Sequence, residues 1–227
     1  QGQVRFVTGD AGSGKTALLR AFARQALTTH RDVLVVNGSG NAYTGTGDPY
    51  WPFIEILGQL YPPDSGNAVR VGAPPLVGAQ AGRLAVARPV IAPVLRQCAP
   101  DLVHLMETPD LGPGQTDLQQ ARLFAQVTHL LQALTVAQPV VLLLDDLQWA
   151  DQDSVNLLFH LGQRLAHQQI LIVGALRPDV LYRGYTPGMY LQTQAGDQRH
   201  PLAVLIQELQ RRWGDIQLDL ARVSGRA

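Results

Sequence analysis

Of the 18 lysines and arginines in this sequence, only Lys15 is a lysine. It lies in Gly9-Asp10-Ala11-Gly12-Ser13-Gly14-Lys15-Thr16. A compact, strongly hydrated ammonium can enter a tight backbone loop and meet phosphate oxygens, whereas the planar fork of arginine is too bulky for that task. The spacing fits G-x-x-x-x-G-K-[ST], a phosphate-binding loop. Gly9, Gly12 and Gly14 permit backbone angles closed to residues with a Cβ, so successive N–H groups can converge on one concavity. Lys15 is expected to reach the β- and γ-phosphates of a nucleotide, and the Thr16 hydroxyl to ligate Mg²⁺. Gly9, Asp10, Ala11, Gly12, Ser13, Gly14 and Ala17 are expected to line the phosphates with them. The other reading, a plain glycine turn with Lys15 on the surface, does not account for the elements on either side.

Those elements are a strand and a helix. Val4, Phe6 and Val7 read as a short strand, and Ala17-Leu18-Leu19-Arg20-Ala21-Phe22-Ala23 as a helix whose N-terminal amides add positive potential at the loop. A second constellation follows the run Val140-Val141-Leu142-Leu143-Leu144. Five consecutive apolar residues imply a strand buried on both faces, as in a parallel sheet covered by helices. It ends in Asp145 and Asp146, at the edge where open α/β sheets bind ligands. Asp145 is expected to hold Mg²⁺ opposite Thr16. Asp146 either polarises the water that attacks the γ-phosphate or caps the following turn. The buried strand Ile170 to Ala175 delivers Arg177 to the same edge, either as a sensor of the γ-phosphate or as a surface arginine before Pro178. Asp151 and Asp153 read as helix caps, Trp149 as a packing residue, and Cys98 as a buried small apolar group. The six histidines are scattered singly, without metal-ligand spacing.

The remaining pattern supplies the scaffold. Asp32 to Asn37 reads as a strand ending at Gly38, and Trp51 to Leu60 as a short amphipathic helix. Tyr61 to Gly82 reads as irregular, and Arg83 to Gln97 as a helix that Pro89 and Pro93 should break or kink. Pro109 to Gly114 is a cluster of helix breakers. Leu118, Ala121, Phe124, Ala125, Val127, Leu131 and Leu134 describe one face of a helix, and Ser154, Leu157, Leu158, Leu161 and Leu165 the buried stripe of another. A last helix spans Leu202 to Arg212, before a short strand at Ile216 to Leu218. We expect one domain over residues 1–227, interrupted by an irregular and helical insertion at about residues 61–114.

At 227 residues and 46% hydrophobic, the chain can bury a sizeable core. Net charge is zero, and the doublet Arg211-Arg212 reads as a solvated helix face, which argues against direct nucleic-acid binding. No apolar stretch approaches the roughly 18 residues of a membrane span. The single cysteine suits a reducing compartment, so a cytoplasmic location is expected. Because the chain opens almost directly on its first strand, it reads as a piece of a larger protein. A GTPase is disfavoured, since no N-K-x-D segment exists and the one lysine lies in the loop.

The string Leu144-Asp145-Asp146-Leu147-Gln148-Trp149-Ala150-Asp151-Gln152-Asp153-Ser154 resembles the AAA-type ATPase domain of the STAND class of P-loop signalling NTPases. The branch it resembles is that of MalT-like and LuxR-type regulators and of ATPase modules attached to nucleotide cyclases and some Ser/Thr kinases. Asn41 to Phe53 and Arg212 to Leu220 are also similar to segments of that branch. The resemblance implies a three-layer α/β P-loop NTPase fold, with a five-stranded parallel sheet in the order 5-1-4-3-2 and helices on both faces. It implies ATP and Mg²⁺ as cofactors, Lys15, Asp146 and Arg177 as catalytic residues, and Thr16 and Asp145 as metal ligands. It implies a slow ATPase working as a signalling switch, with ATP, ADP and other domains of the parent protein as partners and a nucleotide-dependent oligomer as one outcome. A non-hydrolysing ATP-dependent scaffold and a small-molecule phosphotransferase are the alternative functions. Ala175-Leu176-Arg177 departs from the family pattern in lacking a threonine two residues before the arginine. The adenine-contacting segment upstream and the helical and winged-helix parts downstream are also missing from the sequence.

Overall fold

A computed structural model describes residues 2–40, 49–61, 77–107, 117–179 and 200–224. In chain order the elements are β1 (Gln3–Thr8), α1 (Lys15–Thr29), β2 (Leu34–Ser39), α2 (Trp51–Leu60), α3 (Gly78–Cys98), α4 (Pro100–Glu107), α5 (Asp117–Ala137), β3 (Val140–Asp145), a 3-10 turn (Leu147–Trp149), α6 (Gln152–Arg164), β4 (Ile170–Leu176), α7 (Pro201–Trp213), β5 (Gln217–Asp219) and α8 (Leu220–Ser224). The strands form one sheet in the order β2-β3-β4-β1-β5, with every pairing parallel. Read from the other edge this is 5-1-4-3-2, the order the family resemblance implies, and β4 separates the two motif strands. The breaker cluster at 109–114, most of the Tyr61 to Gly82 stretch and residues 41–48 of the Asn41 to Phe53 segment lie outside the described residues, as does the Cys98 side chain.

Alternation along the strands explains why helices cover both faces. Val4, Phe6, Leu34, Val36, Val140, Leu142, Leu144, Ile170 and Ile172 face one core, packed under α2 to α7. Val7, Val35, Val141, Leu143, Val173 and Ala175 face the other, under α1. A period of two therefore splits each apolar run between two layers, and neither face is left to water.

Three expectations need correction. First, α3 is assigned without interruption from Gly78 to Cys98 although it contains Pro89 and Pro93, and it takes in residues 78–82 of the supposedly irregular stretch. The two prolines stand four apart on the exposed side, and so do Ala85 and Pro89, whose carbonyls lose their helical donors there. Water can serve those carbonyls. Leu84, Ile91 and Leu95, all buried, hold the other side in the core, and Arg83 donates to the Leu27, His30 and Val33 carbonyls at the end of α1. Second, the buried stripe of α5 is Leu123, Val127, Leu130, Leu131 and Leu134, while Leu118 is 77% exposed and Ala121 and Ala125 are exposed. Small alanines do not mark a face, because they are tolerated on either side of a helix. Third, β2 runs through Gly38 to Ser39. A Cβ on Gly38 would run into the Pro52 carbonyl, so glycine here serves the close approach of α2 and not a turn.

Gly174 in β4 has a comparable role nearer the functional edge. A Cβ there would meet Leu147 Cδ1 at 2.5 Å and Phe6 Cδ1 at 3.0 Å. The space it leaves seats Leu147, and with it the turn that follows Asp145. Gly174→Ala is therefore expected to lower the unfolding free energy in urea by about 1–3 kcal/mol through overpacking. Gly78→Ala, at a helical position with open space around the Cβ, should raise it by about 0.4–1 kcal/mol. Equal midpoints for the two variants would contradict this packing.

Candidate functional site

The loop between β1 and α1 has the conformation its glycines predict. Gly12 and Gly14 lie at φ 78° and 89°, in the left-handed region. A Cβ added to either would meet nothing within 4 Å. Glycine is thus required there by backbone geometry, and the space over the loop is open. Gly9 is different, since a Cβ there would come within 2.5 Å of Ser13 Oγ. Gly14 caps α1 without a side-chain hydrogen bond, and no acidic residue lies in the first turn. The first amides of α1 therefore keep their capacity for an external acceptor.

Lys15 is 7% exposed and folds back over its own loop. Its Nζ donates to the Gly9 and Asp10 carbonyls, at 2.7 Å each. Thr16 Oγ1 donates to Asp145 Oδ2 at 2.6 Å, across 129 residues of sequence. The other oxygen, Asp145 Oδ1, accepts from the Asp146 amide at 2.9 Å. Register accounts for the meeting: Thr8 pairs with Leu176 and Asp145 with Ser39, so the loop, Asp145 and Arg177 share one edge of the sheet. A hydroxyl and a carboxylate are hard oxygen donors that suit Mg²⁺, and uncapped helix amides suit a phosphate chain. The residues present fit a magnesium–nucleotide complex.

Asp146 sits at φ 49° and ψ 40° and makes no side-chain cap to the following turn. Its Oδ1 accepts instead from the Gln148 side-chain amide at 2.8 Å. The capping alternative for Asp146 is therefore replaced by a side-chain contact that the sequence did not suggest. Asp151 is a cap as expected, accepting from the Ser154 amide at 2.8 Å. Asp153 accepts from Gln120 Nε2 at 2.8 Å, and burial, helped by neighbouring Asp151, raises its pKa.

Trp149, expected to pack, is 45% exposed. The reason is local: Leu147 takes the inward position beside Gly174, and the residue two further along turns outward. The Arg177 guanidinium lies over the Trp149 ring, 5.9 Å from its centre. Arg177 thus reaches the expected edge, but its side chain rests on an aromatic face of this same edge.

Sequence reasoning missed three residues. Gln148 is 1% exposed, between Asp146 and Arg177. Glu55 of α2 accepts from Ser39 N at 2.7 Å and Ser39 Oγ at 3.0 Å, closing the end of β2, and burial raises its pKa. His200, also 1% exposed, accepts from the Leu202 amide through Nδ1 at 3.1 Å and caps α7. The available signal for Gln148 was a polar residue inside an otherwise apolar-and-acidic string. For the other two, no spacing rule existed.

A family model described as the AAA ATPase domain matches residues 1–173. No curated protein matches the chain.

Burial pushes the His200 pKa below its ordinary 6.5, while the nearby Gln148 main chain acts the other way. A histidine kept neutral by the fold binds fewer protons folded than unfolded, so its contribution to stability is present above pH about 6.5 and is lost as pH falls. His160, lowered by burial and by Arg164, adds in the same direction. On going from about pH 7.5 to 5.5 the thermal midpoint should therefore fall more in wild type than in His200→Asn, which retains a capping acceptor, the raised Glu55 and Asp153 carboxyls acting the opposite way in both proteins. The same slope in both proteins would contradict the buried neutral imidazole.

Proposed function

Since this chain belongs to the AAA ATPase domain family, we propose that it binds Mg-ATP, hydrolyses it slowly, and uses the two nucleotide states as a signalling switch. The observation that carries this reading is the 2.6 Å bond between Thr16 and Asp145 at the mouth of an open glycine loop. Magnesium, when bound, supplies charge neutralisation on the phosphate oxygens. The loop amides and the start of α1 orient the phosphate chain, and Lys15 Nζ, held at the loop by the Gly9 and Asp10 carbonyls, supplies the cation. Thr16 and Asp145 would hold the metal. Asp146 orients the attacking water and takes its proton.

Arg177 supports the switching part. A cation over an exposed aromatic ring is worth about 0.5–1 kcal/mol, whereas a hydrogen bond to a charged partner is worth about 1.5–3 kcal/mol. A γ-phosphate within reach therefore outcompetes Trp149 for the guanidinium, and its loss returns Arg177 to the ring. The partners under this reading are ATP, ADP and neighbouring domains that sense the change. The aspartate at the water position, shorter than glutamate, favours slow turnover and keeps a scaffold function as the second reading.

Three measurements test the proposal. Mg-ATP at about 100 times its Kd should add roughly 2.7 kcal/mol to the stability of wild type but not of Lys15→Ala; identical melting shifts would overturn nucleotide capture by the loop. Asp146→Asn should keep binding and lose turnover, while a wild type without turnover would favour the scaffold. The switch has its own readout: in a chain with Trp51→Phe and Trp213→Phe, Trp149 emission should differ between Mg-ATP and Mg-ADP, and Arg177→Ala should abolish that difference. Emission that ignores the nucleotide would refute the arginine movement.

A further inference from the structure

Gln148 makes its hydrogen bonds with both ends of one amide. Nε2 donates to Asp146 Oδ1 at 2.8 Å, and Oε1 accepts from the Arg177 amide at 3.2 Å. At 1% exposure the Gln148 amide is shielded from bulk water, so its hydrogen bonds depend on these two partners. The orientation is also fixed, because flipping the amide would set N–H against N–H and oxygen against carboxylate oxygen. The residue therefore links the side chain of Asp146 to the main chain at the end of β4.

The backbone around this link is already determined by packing. Asp146 holds a left-handed conformation that costs a non-glycine residue energy and persists only where the surroundings impose it. They do so from two sides. A Cβ on Gly40, just past β2, would run into the Asp146 carbonyl, so the chain leaving β2 closes over it, and Leu147 is seated in the space left by Gly174. This fixes where the Asp146 carboxylate begins, but not how it is rotated. The Gln148 amide is the group that sets the rotation. On its other side His200 touches the Gln148 main chain, and its Nδ1, by accepting from Leu202, keeps the imidazole in the Nε2–H form. The link thus extends to the first turn of α7.

We propose that Gln148 is a positioning residue for hydrolysis: it fixes the Asp146 carboxylate relative to the strand that carries Arg177, and turnover depends on it while nucleotide affinity does not. This rests on Asp146 acting on the attacking water. No bond is made or broken at Gln148 itself. Its effect is geometric, and misplacing a reacting group by about 1 Å costs about 100-fold in rate.

The test uses the whole chain with Gln148→Leu, Gln148→Glu, Asp146→Asn and the double variant Gln148→Leu/Asp146→Asn. Gln148→Glu keeps an acceptor for the Arg177 amide and replaces the donor to Asp146 with a carboxylate that repels it, so it breaks the proposed contact by a route different from Gln148→Leu. Steady-state hydrolysis and calorimetric titration with Mg-ATP are measured for each. Both Gln148 variants should lower kcat by roughly 10- to 100-fold, with KM and the Mg-ATP Kd within about twofold of wild type. The double variant should be no slower than Asp146→Asn, because Gln148 acts through that carboxylate. A readout independent of turnover is the Gln148 side-chain amide, whose hydrogen exchange should be slow in wild type and faster in Asp146→Ala. Wild-type kcat in Gln148→Glu beside an inactive Asp146→Asn would overturn the positioning role alone. Full activity in Asp146→Asn, or a wild type without turnover, would overturn the water-activating role and this proposal together.

Discussion

The hydrogen bond from Thr16 to Asp145 is the constraint on which the rest of the structure depends. Its two ends are 129 residues apart, Thr16 in the helix that follows β1 and Asp145 at the end of β3, and those strands do not touch because β4 runs between them. For a hydroxyl at the start of α1 to meet a carboxylate at the end of β3, three parallel strands must end in register. That register is set by side-chain burial: a slip of one residue in β3 would exchange Leu142 and Leu144 with Leu143 between the two cores. The apolar alternation of the strands and the chemistry of the edge are therefore one requirement expressed twice.

The edge gains precision from positions where side chains are absent. Gly38 and Gly40 let α2 and the Asp146 carbonyl approach β2, and Gly174 lets Leu147 settle against β4. Each removes a Cβ where two elements cross. Bound in this way, the segment from Asp145 to Ala150 presents Asp146 inward to Gln148 and Trp149 outward to Arg177. Inward and outward contacts on a single turn couple the acidic pair to the arginine across the strand boundary.

Much of this was legible in the sequence, for identifiable reasons. The glycine loop and the acid-terminated strand carry the spacings expected of a phosphate loop and a metal-holding carboxylate, and the resemblance to signalling ATPases supplied the strand order. Buried strands read correctly because their apolar runs are continuous. The errors fall where tertiary packing outweighs local preference. The prolines of α3 are tolerated because they stand on the wet side of a helix anchored by Leu84 and Leu95. Leu118 misled because one exposed leucine is indistinguishable in sequence from a buried one. Glu55 and His200 were harder to see for a different reason, and Gln148 in part. Glu55 bonds Ser39 from another element, His200 caps its own helix, and Gln148 reaches the Arg177 amide across the sheet edge, and no spacing in the sequence records those partners.

The most direct measurement of the central claim is a double-mutant cycle on magnesium-dependent ATP affinity, with Thr16→Val and Asp145→Asn. If both oxygens serve one metal ion, each single change removes most of the gain in affinity that Mg²⁺ gives, and the double change removes little more. Penalties that simply add, or single variants that retain the full magnesium effect, would show that the two groups touch without sharing a task.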